Sequence, residues 1–277
     1  MSGILYIVAT PIGNLDDITL RAIKTLEEAD IIAAEDTRHT LKLLNHLGIS
    51  KPLISYYKQN EKVKTEILME KLIMGKNIAL VSDAGTPVIS DPGEEVVKVA
   101  IENNIKVVPI PGSCALITAL IASGMSAKGF SFIGFLPVNK KEKDEILKEI
   151  SEDTKTLIFY EAPHKLITTL NEMQNVLGNR TICLARELTK IHEEFLTGTI
   201  TELLEKVQEP KGEYVIIVEG SKISKKEIET NKLNEMSIQE HYKYYESLGY
   251  EKKEIIKKVA KDRNVNKNEV YKLFTNK

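Results

Sequence analysis

Residues 78–93 have the sequence IALVSDAGTPVISDPG, in which four apolar residues lead into a loop rich in Gly, Pro and Asp. A short apolar run with such a boundary predicts a strand that is buried on both faces of a parallel sheet. Ligands of open α/β sheets bind beyond the carboxyl ends of the strands. Asp83 begins the loop and is therefore placed to meet a ligand hydroxyl or amine. The alternative is an ordinary strand-to-helix turn, in which Asp83 or Asp91 caps a neighbouring helix.

Apolar runs and helical patterns alternate on both sides of this stretch. The periodicity predicts strands at residues 4–9, 31–34, 53–57, 78–81 and 107–110. It predicts helices from about residue 19 and at residues 41–47, 61–74, 94–103 and 114–122. Strands that alternate with helices in this way indicate a parallel sheet that is covered by helices on both faces.

The pattern changes after residues 124–129, which we interpret as a linker. Strands are predicted at residues 130–135, 156–160, 180–185, 194–199 and 214–218. Helices are predicted at residues 140–150, 164–177 and 201–207. Some of these strands follow each other directly, so we expect a mixed or antiparallel sheet. Further helical patterns, typical of a helix-turn-helix-like bundle or of a plain helical appendage, lie at residues 237–248, 252–261 and 267–274.

We therefore expect an α/β protein with two α/β domains and a small helical tail. Residues 1–124 form the N-terminal α/β domain, with a parallel sheet flanked by helices. Residues 125–222 form the C-terminal α/β domain, with a mixed sheet. Residues 223–277 form a basic helical tail.

Charge is distributed unevenly along the 277 residues, whose formal net charge is −2. Residues 222–277 contain 14 Lys and Arg against 9 Asp and Glu, a net +5, so residues 1–221 carry −7. A basic tail on an acidic body indicates either a nucleic-acid contact or a solvated helical face. The overall balance excludes a chain that is basic throughout.

The sequence carries no signature of a metal site, a disulfide framework or a membrane span. Cys114 and Cys183 are the only cysteines and lie far apart in sequence, and the five histidines have no ligand spacing. The first residues lack a basic segment, so we interpret them as a strand and not as a signal peptide. No run reaches the ~20 apolar residues of a membrane helix. We expect a cytoplasmic protein without a metal.

Three loops that follow predicted strands share a composition of Pro with Gly. They are residues 10–13 (TPIG), 82–87 (SDAGTP) and 111–113 (PGS). Because the carboxyl ends of parallel strands meet at one edge of a sheet, these loops are expected to frame one pocket. Neither GxGxxG nor the P-loop motif occurs in the sequence, so a dinucleotide or P-loop site is not indicated. We expect a ligand with a compact polar part and an adenosine-sized flat part.

Six motifs resemble those of the tetrapyrrole-methylase-like, class III methyltransferases, which use S-adenosyl-L-methionine. In chain order they are LYIVATPIGNL (5–15), AEDTRHT (34–40), SDAGTP (82–87), YEAPHK (160–165), ARELTK (185–190) and GEYVIIVEG (212–220). The resemblance is greatest to the members that methylate the ribose 2′-oxygen of a cytidine in 16S rRNA. It covers residues 4–220 and extends more loosely through the tail.

This resemblance implies a cofactor cleft between two α/β domains, a homodimer, and a substrate in the decoding region of 16S rRNA within the 30S subunit. It implies that Asp83 holds the polar parts of S-adenosyl-L-methionine and that Tyr160 covers its adenosine. By position, the implied cofactor-binding residues are Pro11, Gly13, Val81, Ser82, Asp83, Thr86, Ser113, Cys114, Ala115, Tyr160, Glu161, Gly198 and Glu213.

A ribose hydroxyl is a weak acid, so a base or a stabilising cation assists its methylation. The motifs place four such candidates near the cleft: Asp36, Lys165, Arg186 and Glu187. Each has a structural alternative. Asp36 would cap a helix, Arg186 and Glu187 would pair with each other, and Lys165 would begin a helix or bind a phosphate. A further role for basic residues is contact with rRNA phosphates. The residues concerned are Arg38, Lys165, Arg186, Lys190 and the tail lysines.

Two other functions fit the same residues. One keeps the cofactor and changes the acceptor to a tetrapyrrole or another small molecule. Tetrapyrrole methylases usually have Gly-Asp-Pro at the central loop, where this chain has Ser82-Asp83-Ala84, which argues against a porphyrinoid. The other is a non-catalytic RNA-binding factor on the same fold, against which the intact pocket motifs argue.

Overall fold

The computed structural model of this protein describes residues 2–223 and 225–275. The described residues form two compact units. The first contains the residues up to Glu145 together with Thr156–Glu219, and the second contains Ile146–Lys155 with the residues from Gly220 onward. The sequence-based division at residues 124 and 222 remains a proposal. The structure divides the chain differently from that proposal. Both sheets belong to the first unit, and residues 146–155 belong to the second unit together with the tail.

The first sheet is entirely parallel, as the alternation of strands and helices predicts. Its strands are β1 (Ile4–Val8), β2 (Ile31–Ala34), β3 (Leu53–Ser55), β4 (Ile78–Val81) and β5 (Lys106–Ile110). Their order is β3-β2-β4-β1-β5, with β4 between β1 and β2. All residues of β4 are buried, because helices cover both faces of the sheet.

Helices α1 (Leu20–Glu28), α2 (Thr37–His46), α3 (Glu61–Ile73), α4 (Glu94–Glu102) and α5 (Ala115–Ala122) follow the strands. Successive residues of a strand point to opposite faces, so β4 contributes to two apolar clusters. Leu80 packs with Leu68 of α3 and Val96 of α4. Val81 packs with Leu26 of α1 and Leu44 of α2.

Helix α2 begins four residues earlier than the sequence pattern predicts. The Asp36 carboxylate accepts a hydrogen bond of 2.8 Å from the backbone N–H of Arg38, so Asp36 is the N-cap and Thr37 the first helical residue. The structural alternative for Asp36 is therefore the one that the structure shows. The apolar periodicity missed this first turn because its residues are polar.

The second sheet is mixed, as predicted. Its strands are β6 (Phe130–Phe135), β7 (Thr156–Glu161), β8 (Thr181–Arg186), β9 (Glu194–Thr199) and β10 (Tyr214–Val218), in the order β6-β7-β10-β8-β9. Strands β6 and β7 are parallel and the other pairs are antiparallel. Helices α6 (Lys140–Glu149), α7 (Leu166–Leu177) and α8 (Ile200–Lys206) belong to this part of the chain.

Helix α5 joins the two sheets within the first unit. Its buried residues Leu116 and Leu120 belong to an apolar cluster with Ile158 of β7 and Val215 of β10. The helix that follows β5 thus packs on the second sheet. The carboxyl edge of the first sheet is held close to the second sheet by this cluster.

The second unit contains α9 (Lys225–Glu235), α10 (Ile238–Ser247), α11 (Lys252–Asp262) and α12 (Lys267–Thr275). The last three confirm the predicted helices. Helix α9 was missed, because its sequence KKEIETNKLNE has too few apolar residues to show a period. Across the described parts of the chain, none of the helices combines the length and apolar character that a bilayer crossing requires.

Candidate active site

The three Pro- and Gly-containing loops meet at one edge of the first sheet. Thr10 and Gly85 exchange two backbone hydrogen bonds of 2.8 and 3.0 Å, which join the loops after β1 and β4. The Thr86 hydroxyl donates a bond of 3.0 Å to the Ser113 carbonyl oxygen, which joins the loops after β4 and β5. The predicted meeting of the loops is therefore present, and it is stabilised by direct hydrogen bonds.

A cavity of about 310 Å³ lies against these loops and the facing end of the second sheet. Its size is within the range of small-molecule and cofactor sites. The predicted site residues that line it are Asp83, Thr86, Cys114, Ala115, Tyr160, Glu161, Glu187 and Glu213. The lining also includes residues that the sequence did not single out for the site: Ile12, Glu35, Ala84, Gly85, Ile89, Ser90, Asp91, Phe135, Leu188, Tyr214 and Val215.

Acidic side chains dominate the polar part of the cavity. Glu35, Asp83 and Asp91 lie near one another, and burial together with the charges of Asp91 and Asp83 raises the pKa of Glu35 to about 7. Burial is also the main reason that the pKa of Asp91 is raised to about 6, to which the Asp83 charge adds. Lys190 is the basic residue of the lining. The cavity therefore favours a ligand that brings positive charge.

Aromatic rings form the wall that the second sheet contributes. The Tyr160 ring lies edge-on to Phe132 and Phe135, at centroid distances of 5.0 and 5.6 Å. Its hydroxyl accepts a hydrogen bond of 3.1 Å from the backbone N–H of Leu116, at the start of α5. Burial raises the pKa of this phenol. The wall is thus fixed by packing and by a hydrogen bond, and it offers a flat apolar surface.

Two segments of the lining have strained backbones. Val88 and Ser90 adopt φ angles of +77° and +68°, and Glu187 and Thr189 adopt +50° and +66°. Non-glycine residues rarely occupy this region, and such strain concentrates at functional sites. Both strained segments flank the cavity, so the strain is consistent with a binding role for it.

The remaining predicted cofactor residues lie outside the cavity lining. Pro11, Gly13, Val81, Ser82 and Ser113 belong to the strand ends and loops that support it. A Cβ on Gly13 would come within 2.6 Å of Lys190 Cγ, so Gly13 allows the first loop to pack against the 188–190 segment. The Ser82 hydroxyl is buried and donates to the carbonyl oxygen of Ala84 at 3.3 Å.

The structure does not bring Gly198 to the cavity. Gly198 pairs with Ile182 on β8, four residues away from Arg186 at the cavity end of that strand. At about 3.3 Å per residue, this is roughly 13 Å along the strand. The antiparallel register of β8 and β9, which the sequence does not specify, places Gly198 toward the opposite edge of the sheet.

Among the four catalytic candidates, Glu187 is the one that lines the cavity. Its carboxylate accepts a hydrogen bond of 3.0 Å from Lys190 Nζ, which lowers the pKa of Glu187. Arg186 Nε lies 2.6 Å from a carboxylate oxygen of Glu194, so the ion pair between Arg186 and Glu187 that the sequence allowed does not form.

Asp36 and Lys165 lie at the starts of helices, outside the cavity lining. The Asp36 carboxylate pairs with the Arg38 guanidinium at 2.7 Å, which holds the pKa of Asp36 far below its usual range, whereas its backbone N–H donates to Asp83 at 2.8 Å. Asp36 thus orients Asp83 through the main chain. Lys165 ends a 3₁₀ turn, Pro163–Lys165, as the helix-start alternative anticipated.

The residues that the sequence missed carried weak signals. Glu35 precedes the capping residue Asp36, and Asp91 lies ten residues beyond the end of β4. Glu35 directly follows β2 and therefore satisfies the strand-end rule, whereas Asp91 lies too far beyond β4 for that rule to indicate it. Phe135 is at the end of β6, where the composition alone indicates an ordinary strand residue.

The sequence profile of the tetrapyrrole (corrin/porphyrin) methylases matches residues 4–204 of this chain. The chain belongs to this family. A curated relative of this methylase from Halalkalibacterium halodurans, named "Ribosomal RNA small subunit methyltransferase I", is 51% identical over 276 residues, covering 98% of this chain and 94% of the relative. The relative of the same name from Bacillus subtilis is 49% identical over 274 residues, with the same shares covered.

Solved structures share the fold of this methylase at low sequence identity. A diphthine synthase has a TM-score of 0.61 at 13% identity, covering 80% of this chain and 91% of that chain. A uroporphyrin-III C-methyl transferase from Thermus thermophilus, complexed with S-adenyl homocysteine, has a TM-score of 0.57 at 16% identity, covering 78% and 97%.

The residues of the cavity fit S-adenosyl-L-methionine, the methyl donor of the family. Its sulfonium and ammonium groups are cations, and the lining is rich in carboxylates, among them Glu35, Asp83 and Asp91. Gly85, at φ +81°, leaves open a space that a Cβ would fill, 3.1 Å from the Ile12 side chain. Among residues 2–223 and 225–275, His, Cys, Asp and Glu form no group that could hold a metal ion.

Proposed function

We propose that this methylase transfers the methyl group of S-adenosyl-L-methionine to the ribose 2′-oxygen of a cytidine in the decoding region of 16S rRNA. The observation that carries the proposal is the likeness, about 50% identical over 98% of the chain, to relatives named for ribosomal RNA small subunit methylation. The cavity supports it with a lining that suits a cationic donor.

The residues that would hold the donor come from both sheets. Asp83 and Thr86 from the loop after β4 would bind its polar parts, and Cys114 and Ala115 at the start of α5 would approach the reacting end. Tyr160 with Phe135 would cover the adenine. When bound, S-adenosyl-L-methionine supplies a methyl group on a sulfonium, which is an already activated leaving group.

The chain contributes mainly by positioning the reactants. Holding two centres in line supplies roughly 7–11 kcal/mol, whereas a general base typically adds about 10²–10⁴-fold. The three joined loops and the Tyr160 wall provide a rigid frame for such alignment. Among the proposed catalytic residues, Glu187 would take part in proton transfer, which its position in the cavity lining supports. Arg186 and Lys165 would contact RNA phosphates.

A tetrapyrrole acceptor is the second function to weigh. Porphyrinoid substrates of methylases carry several carboxylates, which the acidic lining would repel at neutral pH. Ser82-Asp83-Ala84 also departs from the usual Gly-Asp-Pro. The motif difference is the observation that favours an RNA acceptor, because RNA phosphates are also anionic and the repulsion does not separate the two acceptors. A target nucleotide would need to leave the stack to reach the cavity, which is easiest in looped or single-stranded RNA.

The test is methyl transfer from tritium-labelled S-adenosyl-L-methionine to 30S subunits that lack this modification, with naked 16S rRNA in parallel. Label on a cytidine ribose, identified by mass of the nucleoside, is the expected result. Transfer to subunits and not to naked rRNA would show that the assembled particle forms the target. No label on either substrate, with donor binding intact by calorimetry, would contradict the proposal.

The homodimer and the cytoplasmic location are parts of the same proposal. Ile117 and Ile121 lie on one face of α5 and are 42% and 75% exposed, which offers an apolar surface to a second copy. Acting on ribosomal particles places the activity in the cytoplasm. Sedimentation of the purified protein is expected to show a dimer, and a monomer at micromolar concentration would contradict this part.

A further inference from the structure

The second unit carries a lysine-rich depression of about 860 Å³ that we call the lysine groove. Its lysines come from α9, α11 and the start of α12, and they are Lys232, Lys253, Lys257, Lys258, Lys261 and Lys267. The acidic residues of the lining are Glu254 and Asp262. The groove is therefore strongly positive, although the chain as a whole has a net charge of −2.

Three of these lysines form a regular row. Lys253, Lys257 and Lys261 are spaced four residues apart on α11, so they lie on one face at intervals of about 6 Å along the axis. All three are exposed, whereas Ile255 and Val259 of the same helix are buried in the core of the unit. The hydrophobic core accordingly fixes which face of α11 presents the lysines.

The charges of this row are not neutralised within the described part of the chain. None of the three ammonium groups has a carboxylate within 4 Å there, so the row forms no ion pair with described residues. Asp262 contacts other side chains, since it accepts a hydrogen bond of 2.6 Å from the Tyr245 hydroxyl and lies 3.5 Å from His241 Nε2. A row of uncompensated lysines is the arrangement that binds a phosphate backbone.

Aromatic side chains accompany the lysines. Tyr244 lines the groove and is 43% exposed, a high value for an aromatic ring. Lys258, which also lines the groove, makes a cation–π contact with the Tyr250 ring, 4.4 Å from its centroid. Lysines interleaved with an exposed ring are typical of sites for single-stranded nucleic acid, in which bases stack on aromatic side chains.

We infer that the lysine groove binds a single-stranded segment of RNA, with phosphates on Lys253, Lys257 and Lys261 and a base against Tyr244. This inference rests on the proposed function, because it identifies the RNA as part of the rRNA substrate. Phosphate contacts position a protein without reading sequence. The groove therefore adds affinity and orientation, and it leaves the choice of nucleotide to the active site.

The test measures binding of a fluorescein-labelled, mixed-sequence 12-nucleotide RNA by anisotropy between 50 and 200 mM KCl, using the full chain. For a single strand, log K falls as log salt rises, and each phosphate contact adds about 0.7 to the steepness of this slope. The Lys253→Gln/Lys257→Gln/Lys261→Gln variant is expected to reduce the slope by about 2 and to weaken binding about 10-fold at low salt.

Matched variants separate the row from general charge. Lys222→Gln/Lys243→Gln/Lys272→Gln removes the same charge at exposed positions outside the groove and should change the slope by less than about 1. The Lys→Arg variant of the row keeps the three charges and should retain the wild-type slope. Tyr244→Ala should weaken single-strand binding about fivefold with an unchanged slope and leave binding of a duplex unaltered.

Equal slopes for the row variant and its control would overturn the inference, as would a preference of the wild-type protein for duplex over single strand. Calorimetric binding of S-adenosyl-L-methionine by the row variant should equal that of the wild type. If 30S subunits are methylated but the slopes are equal, the groove is wrong and the proposed function stands. If the row governs RNA binding but no rRNA is labelled, the proposed function fails and the assignment of the bound RNA as substrate fails with it.

Discussion

At the scale of single residues, burial is the main cause that opposes ionisation of Glu35 and Asp91 in the cavity, and the charges of neighbouring carboxylates add to it. Glu35, Asp83 and Asp91 share a partly buried space, so full ionisation of the group is unfavourable in the free protein. A cationic donor would remove this repulsion and bind with release of protons. We expect the affinity for the donor to rise between pH 5.5 and pH 8.

Glu35→Gln tests this repulsion. The pKa of Glu35 in the folded protein is about 7, above its ordinary value of 4.5, so the folded state loses stability as pH rises from 4.5 through 7. Gln cannot ionise, and the variant should therefore have a higher Tm than the wild type at pH 8, with a smaller difference at pH 5. It should also bind the donor more weakly at pH 8. Scanning fluorimetry and calorimetry are the measurements.

The exposed Glu27 of α1 provides the matched control, since Glu27→Gln removes a carboxylate far from the cavity lining. Its Tm should differ from that of the wild type equally at both pH values. The same behaviour in Glu35→Gln would contradict the proposed repulsion.

Tyr160 combines a packing role and a hydrogen-bonding role that can be separated. Tyr160→Phe keeps the ring contacts with Phe132 and Phe135 but leaves the Leu116 N–H without its partner, which should destabilise the protein by about 1–3 kcal/mol. Donor affinity should remain within about threefold, because the wall is intact. Tyr160→Ala should lose both stability and affinity. Urea denaturation measures the stability of each variant, and calorimetry measures its affinity for the donor. A Phe variant that binds the donor as weakly as the Ala variant would show that the two roles of Tyr160 cannot be separated.

At the scale of elements, three loops form the site because they are bonded to each other. The loop after β4 is bonded to both of the others, with bonds from Gly85 to Thr10 and from Thr86 to Ser113. Strands β4, β1 and β5 are consecutive in the sheet, with β1 between the other two, so the three loops leave the same edge side by side.

Gly85→Ala should disturb this element. Gly85 has φ +81°, and an added Cβ would lie 3.1 Å from Ile12 Cγ2 in the cavity wall. We expect a loss of about 1–2 kcal/mol in stability and weaker donor binding. Gly124 has φ +74° with open space around the position of a Cβ, so Gly124→Ala isolates the backbone strain. Equal donor affinities of the two variants would count against a role of the loop in binding.

At the scale of the whole molecule, the two units should respond to pH in opposite directions. In the second unit, His241 is fully buried and its Nδ1 accepts a hydrogen bond of 3.2 Å from Arg263 Nε. Burial and the Arg263 charge lower the pKa of His241 below 6.5, so its contribution is complete above pH 6.5 and is lost as pH falls. In the first unit, the raised pKa values of Glu35 and Asp91 favour folding at lower pH.

Hydrogen exchange measured by mass spectrometry at pH 7.0 and 5.5, corrected for the intrinsic exchange rate, tests this contrast. Opening free energies of peptides from α10 and α11 should fall at pH 5.5, whereas those from β4 should not. His241→Gln retains an acceptor for Arg263 and should abolish the fall. A fall of the same size in the variant would show that His241 is not its source.

Most of the strands and helices, and the meeting of the three loops, could be predicted from the sequence alone. Apolar runs such as 78–81 and 214–218 match the strands, because a strand buried on both faces needs continuous apolar residues. The loops after β1, β4 and β5 were predicted to meet, since parallel strands end at one edge. Asp83, Thr86 and Tyr160, which the resemblance of the motifs indicated, all line the cavity.

Which side chains share the cavity depends on contacts between residues that are far apart in sequence. Gly198 was misplaced because antiparallel register is set by packing and not by local sequence. Glu35 and Asp91 were missed because their importance comes from proximity across the fold, and burial then raises the pKa of each. Asp36 is by contrast a local case that the sequence offered as a helix cap, because Arg38, two residues further along the chain, donates to both of its carboxylate oxygens. Local patterns specify elements, whereas charge, burial and register arise from residues that are distant in sequence.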